Sequence, residues 1–125
     1  MTIAEKILSA HAGKASVRPG EYLNVQIDLA FAPEMYMPLM INAFKEMDAT
    51  EAFDPAKVVF IDDHTCPNAD IASAEQAKLQ KEFAKRIGAL YFGVGRSGIE
   101  HVFIPEAGFA LPGQVIVGAD SHTTT

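Results

Sequence analysis

A single cysteine, Cys66, stands among 125 residues. That excludes an internal disulfide framework, and it excludes a zinc or iron–sulfur module built from the cysteines of this segment alone. Basic residues are also few: ten Lys and Arg face 16 Asp and Glu, for a net charge of −6. A nonspecific polyanion binder needs the opposite balance, because cations must displace counterions from phosphates; no nucleic-acid partner is expected. No apolar run approaches the roughly 18 residues of a membrane span. The opening, Met1 to Lys14, is interrupted by Glu5 and Lys6 and does not read as a signal peptide. No membrane partner is expected, and the expected setting is cytoplasmic. A small acid in a local positive pocket stays compatible with the overall charge.

What is present reads as one ordinary globular domain over residues 1–125, with 49% hydrophobic and 21% charged residues. Thr2-Ile3-Ala4-Glu5 has the form of a capping box, in which a hydroxyl and a carboxylate satisfy free backbone N–H groups. It predicts a short helix ending near Gly13, and Pro19-Gly20 predicts a turn. The alternation of Leu23, Val25 and Ile27 predicts a strand over Tyr22 to Asp28. Pro33 suits the first turn of a helix, with Met37, Met40, Ile41, Phe44 and Met47 as a core-facing stripe.

Val58 to Ile61 is a continuous apolar run, as in a strand covered on both faces. Ser73-Ala74-Glu75-Gln76 reads as a second capping box, opening a helix with Leu79, Phe83 and Ile87 on one face and Gly88 as its stop. The Lys, Arg and Glu residues of that helix read as a solvated face. Ala89 to Phe92 and Val115 to Val117 predict two more strands. Gly93 to Pro112 reads as irregular, with no room for a normal helix. Strands separated by helices predict an α/β fold, a mainly parallel sheet flanked by helices.

Ligand sites in such sheets lie beyond the carboxyl ends of the strands, and three of the four histidines fall there. His64 follows Asp62-Asp63, His101 lies in the loop after the third strand, and His122 follows Asp120-Ser121. An aspartate beside a histidine orients the imidazole and favours its charged form; the alternative is that each aspartate only caps a turn. Asp63, His64, His101, Asp120 and His122 are therefore the candidate catalytic residues. Ser121 and Arg96 are candidate substrate contacts, a hydroxyl at a strand end and a guanidinium suited to a carboxylate. His11 reads as an exposed bystander.

Gly93-Val94-Gly95-Arg96-Ser97-Gly98 spells a dinucleotide-binding fingerprint, but the expected lack of a following helix argues against that use. His64, Cys66, His101 and His122 are zinc-type ligands without the short ligand pair that anchors a zinc site. No metal ligand is assigned.

Several motifs in order carry a resemblance over the whole chain. They are Ile3-Ala4-Glu5-Lys6-Ile7-Leu8 with His11-Ala12-Gly13-Lys14, Asp63-His64-Thr65-Cys66-Pro67-Asn68-Ala69-Asp70 and Ser73-Ala74-Glu75-Gln76. Gly98-Ile99-Glu100-His101 with Pro105-Glu106-Ala107-Gly108 follows, then Leu111-Pro112-Gly113 and Val117-Gly118-Ala119-Asp120-Ser121-His122-Thr123. Together they resemble the aconitase family, in its isopropylmalate-dehydratase branch, and its amino-terminal part. The sequence reads as cut off directly after the D-S-H-T motif.

The resemblance implies an iron–sulfur hydro-lyase that isomerises 2- and 3-isopropylmalate by dehydration and rehydration, a step of leucine biosynthesis. It implies a [4Fe–4S] cluster acting as Lewis acid and a small subunit as partner. Asp63 would pair with His64, Asp120 with His101, and His122 with a carboxylate further along. The family's three cluster cysteines lie downstream and Cys66 matches none of them, so no cluster, and no catalysis, is expected on these residues alone. Departures from relatives occur at Phe31-Ala32-Pro33-Glu34 and at Val102. Homoaconitase or a dimethylmalate-type dehydratase is the alternative within the enzyme class. A non-catalytic α/β module that binds a small acid or a partner chain is the alternative outside it.

Overall fold

The computed structural model describes residues 1–124. Four helices and four strands alternate: α1 (Ile3–His11), β1 (Leu29–Pro33), α2 (Met37–Glu46), β2 (Val58–Ile61), α3 (Ile71–Ile87), β3 (Leu90–Phe92), α4 (Glu100–Glu106) and β4 (Ile116–Gly118). Single 3-10 turns at Glu34–Tyr36 and Pro55–Lys57 precede α2 and β2. The strands form one parallel sheet in the order β3-β2-β1-β4, as the alternation of elements predicts. Among the described residues no helix is long and apolar enough to cross a membrane.

The sheet divides the core by strand alternation. Ala32, Val58 and Phe60 face Met37 and Ile41 of α2 and Phe83, Ala84 and Ile87 of α3. Phe31, Val59 and Ile61 face the other way, toward Ile104 of α4. Burying a side chain the size of Phe60 or Ile61 is worth about 1.5–3 kcal/mol, so β2, buried at all four residues, anchors the sheet. Phe83 meets Phe44 and Phe60 edge-on at ring separations of 5.3 and 5.9 Å. Buried Gln80 donates from Nε2 to the Ala32 carbonyl at 3.0 Å, tying α3 to β1.

This arrangement fixes where a ligand can bind. The chain runs outward from β1 through β2 to β3, then returns to place β4 on the other side of β1. Such a reversal opens a crevice at the carboxyl ends of the two strands that flank it, here β1 and β4.

Four local expectations are corrected. Tyr22 to Asp28 is not a strand; Leu23, Val25 and Ile27 are half-buried, but Gln26 N–H bonds the His11 carbonyl and Asp28 N–H the Val115 carbonyl. The central strand is instead the apolar run Leu29–Pro33, with Pro33 at its end beside Ile61 and Pro38 in the first turn of α2. In α3 the box is formed by Asp70 and Ser73 rather than by Ser73 and Gln76: Ser73 N–H donates to Asp70 Oδ1 at 2.8 Å, and Asp70 N–H to Ser73 Oγ at 3.2 Å. The stretch expected to be irregular holds α4, seven residues long, with Pro105 in its last turn. There the proline cannot donate to the His101 carbonyl four residues back.

The other signals stand. Thr2 and Glu5 form the predicted box, and Gly88 ends α3 at φ +75°, a conformation that glycine adopts without penalty. The charged residues of α3 are exposed. The stripe on α2 is core except Met47, which is 70% exposed.

Candidate active site

All four strands deliver a charged residue beyond their carboxyl ends. Glu34 follows β1, Asp63 and His64 follow β2, Glu100 and His101 open the helix after β3, and Asp120 and His122 follow β4. Asp120 is the hub. Its side chain is 2% exposed. Oδ1 accepts from His101 Nε2 at 2.6 Å and from the His122 backbone N–H at 2.9 Å. Oδ2 lies 3.4 Å from His64 Nε2, and Oδ1 lies 3.4 Å from His122 Nδ1. The His122 amide bond leads in holding the Asp120 carboxyl below the usual carboxylate range, against burial and with help from His101 and the Ser121 amide.

His64 is held from both ring nitrogens. Nδ1 donates to Asp63 Oδ1 at 2.6 Å while Nε2 faces Asp120. Burial opposes the imidazolium, but the hydrogen bond and charge of Asp63, with the charges of Glu100 and Asp120, outweigh it and raise the His64 pKa. His101 also stands edge-on to Phe31, with ring centres 6.0 Å apart. His122 is 73% exposed at its side chain and hydrogen-bonds Ser121 Oγ at 3.2 Å. The structure thus gathers Asp63, His64, His101, Asp120, Ser121 and His122 at one end of the sheet. Arg96 lies elsewhere, lining a cavity of about 460 Å³ with Lys78, Lys81, Asp62 and Tyr91.

The turn after β4 depends on close approach. A Cβ on Gly118 would sit 2.5 Å from Phe31 Cζ and 2.5 Å from Thr123 Oγ1. Glycine there lets Phe31 and the Asp120–Thr123 turn close over the end of β4. Beside it a cavity of about 170 Å³ opens between the β1–β4 pair and α4, lined by Phe31, His101, Ile104, Ala110, Ile116 and Thr123 among others.

Two carboxylates of the site escape sequence reasoning. Glu34, with 0% exposure, accepts from the Asp63 N–H at 3.1 Å and from Thr65 Oγ1 at 2.7 Å, and also from the Thr65 N–H. Burial works against its ionisation, but the Thr65 and Asp63 bonds prevail and lower its pKa. It therefore fixes the backbone that presents Asp63 and His64. Its only signal is position, directly after an apolar run whose proline reads locally as a helix start. Glu100 is also fully buried, beside His101.

His11 corrects another expectation. It is no bystander: Nε2 donates to Asp28 Oδ2 at 2.7 Å and Nδ1 lies 2.8 Å from the Ile7 carbonyl. Asp28 Oδ2 in turn accepts from the Val115 N–H at 2.8 Å, so the pair pins α1 to the lead-in of β4.

Two groups of side chains are close enough to share a cation: His101, Asp120 and His122, and Glu34, Asp63 and His64. Hydrogen bonds among these same groups, and from backbone N–H groups to Glu34, account for their closeness. The sequence signature of the aconitase family (aconitate hydratase) matches residues 5–125. The chain belongs to the aconitase family. Over the whole of its length it is 50% identical to the 3-isopropylmalate dehydratase large subunit of Moorella thermoacetica. It is 46% identical to that of Thermodesulfovibrio yellowstonii and 46% identical to large subunit 1 of Pyrococcus furiosus. The chain spans about 30% of the length of these curated relatives.

The aconitase family implies a [4Fe–4S] cluster in its full-length members. The residues described here do not fit one. Cluster ligation needs several thiolates, and Cys66 is the only cysteine. Its thiol is pushed up by burial, then by the charges of Asp62, Glu34 and Asp63, the reverse of what a thiolate ligand requires.

Proposed function

We propose that this segment carries the proton-handling residues of a hydro-lyase that interconverts 2- and 3-isopropylmalate by dehydration and rehydration. The observation that supports it best is the convergence of His64, His101 and His122 on Asp120, together with the 50% identity to a 3-isopropylmalate dehydratase large subunit. Hydroxide is a poor leaving group, so dehydration needs a proton delivered to the departing oxygen. Asp120, held ionised by the amides of its own turn, sets a fixed negative charge against His101 Nε2. That leaves Nδ1 of His101 as the ring atom for proton traffic. Asp63 and His64 form the second proton-handling pair.

In this reading His122, beside Asp120 in the same turn, works with a carboxylate outside these residues, and Ser121 donates its hydroxyl to a substrate oxygen. Arg96, which lines a separate cavity, takes no substrate contact in this reading. The partly apolar cavity between the β1–β4 pair and α4 suits a branched hydrocarbon arm better than a further carboxylate. The cluster is bound by thiolates outside these residues, the partner is a small subunit, and the enzyme works in the cytoplasm.

The test is turnover by a full-length large subunit carrying this segment, assembled with its small subunit. Formation of the unsaturated acid from isopropylmalate, lost on His101→Asn, is the expected result. Preference for homocitrate or dimethylmalate would replace the substrate. A folded, cluster-loaded complex inert toward all three acids would reject the enzyme reading.

A further inference from the structure

Glu100 has an environment unlike any other carboxylate of the site. Its side chain is 0% exposed, and neither Oε1 nor Oε2 has a hydrogen-bond partner among the described residues. Yet it closes a ring of contacts. The Glu100 backbone N–H donates to Asp63 Oδ2 at 2.6 Å, and Asp63 Oδ1 accepts from His64 Nδ1 at 2.6 Å. His64 Nε2 lies 3.4 Å from Asp120, Asp120 accepts from His101 at 2.6 Å, and His101 Nε2 lies 3.7 Å from Glu100 Oε1.

The groups facing Glu100 come from every neighbouring element. Glu34 stands after β1, Asp63 and His64 after β2, His101 on α4 itself, and Asp120 after β4. Three are carboxylates. A fourth negative charge here would be buried without a donor and would face an incoming acid with like charge. Burial first, then Asp63, Asp120 and Glu34, against the opposing charge of His64, push the Glu100 carboxyl up to about 8.

We propose that Glu100 is a charge-setting residue of the site: it stands there as a neutral carboxyl, so that a dicarboxylate can approach a sheet end where Glu34, Asp63 and Asp120 already gather. The proposal rests on the hydro-lyase reading for its substrate class and makes no claim on bond breaking. Above the titration range the proton leaves to solvent, the carboxylate repels the dianion, and binding weakens. Glu100 is thus a positioning residue that acts through charge.

The experiment compares the assembled full-length enzyme with its Glu100→Gln variant, since glutamine mimics the neutral carboxyl. In the parent, kcat/KM should fall through KM near pH 8, about tenfold per pH unit beyond it for a single ionisation. The inhibition constant of malate, a dicarboxylate probe, should rise in step. In the Gln variant both limbs should vanish or move well to alkaline pH. Unchanged limbs in the variant overturn the proposal.

Carbon-13 NMR of side-chain-labelled glutamate reads the same group without turnover or a folded variant. One carboxyl titrating near pH 8 in the parent supports the proposal, and all glutamates titrating in the ordinary range overturn it. Failure of isopropylmalate turnover with that late-titrating carboxyl present would reject the substrate reading alone.

Discussion

Asp120 and His101 are 19 residues apart in the chain, yet Oδ1 of one accepts from Nε2 of the other at 2.6 Å. The same oxygen also accepts the His122 N–H that closes the turn. Turn capping and imidazole orientation, alternatives when read from sequence, are here one interaction. The aspartate is ionised because the turn demands an acceptor, and that fixed charge is what the imidazole meets.

Replacing Asp120 separates the two roles. The substitution Asp120→Asn keeps an oxygen for the His122 N–H but removes the charge against His101. In the full-length assembled enzyme it is expected to lower kcat roughly 10²–10⁴-fold, the range for losing general acid–base catalysis. The visible absorbance of the cluster should be retained, because Asp120 is not assigned as a ligand. Near-normal turnover would leave Asp120 as a turn cap only.

Glu34 holds Asp63 and Thr65 in place through three bonds. Glu34→Ala strands those donors in a buried site, at roughly 1–3 kcal/mol for each that finds no water. The Glu34 pKa is lowered on folding, so its stabilisation is present above the unfolded value and is lost as pH falls through the folded one. Thermal unfolding against pH should show the variant's deficit at neutral pH and its disappearance in acid. A deficit that does not change with pH would deny the carboxylate this role.

The His11–Asp28 pair should give stability a window with two edges. Bonds to the Ile7 carbonyl and to Asp28 raise the His11 pKa, so its contribution is full in acid and lost as pH rises through the folded imidazole value. The Val115 amide leads in lowering the Asp28 pKa, so that contribution is lost as pH falls. His11→Gln should remove the alkaline edge and leave the acid edge. Melting curves of parent and variant across pH decide it, and an alkaline edge that survives the substitution would refute it.

Gly118→Ala tests the closure over β4. The new methyl group would overlap Phe31 and Thr123, and overpacking of this kind costs about 1–3 kcal/mol. Because Phe31 also borders His101, the loss in kcat should exceed what the drop in melting temperature alone explains. Full activity with normal stability would mean that the turn has room to spare.

Much of the frame is legible in local pattern. Val58–Ile61, Leu90–Phe92 and Ile116–Gly118 show themselves as short apolar runs, α1 by its cap and spacing and α2 and α3 by spacing, because these signals depend on near neighbours alone. Alternation of the elements is enough for a parallel sheet, and hence for placing His64 and His122 at the same end.

The misreadings have tertiary causes. Pro33 suits a helix start locally, but its pairing with Ile61 of β2 claims it for the strand. The first amide of α4 is capped by Asp63 from another element, a partner that no window around Glu100 contains. By itself the sequence determined which residue types stand beyond each strand, since periodicity and turn chemistry are local. Only the tertiary structure decided which carboxylates are satisfied and which are not. Among the described residues Glu34 gains three donors and Glu100 none, because hydrogen-bond partners and burial come from segments that meet only when the sheet assembles.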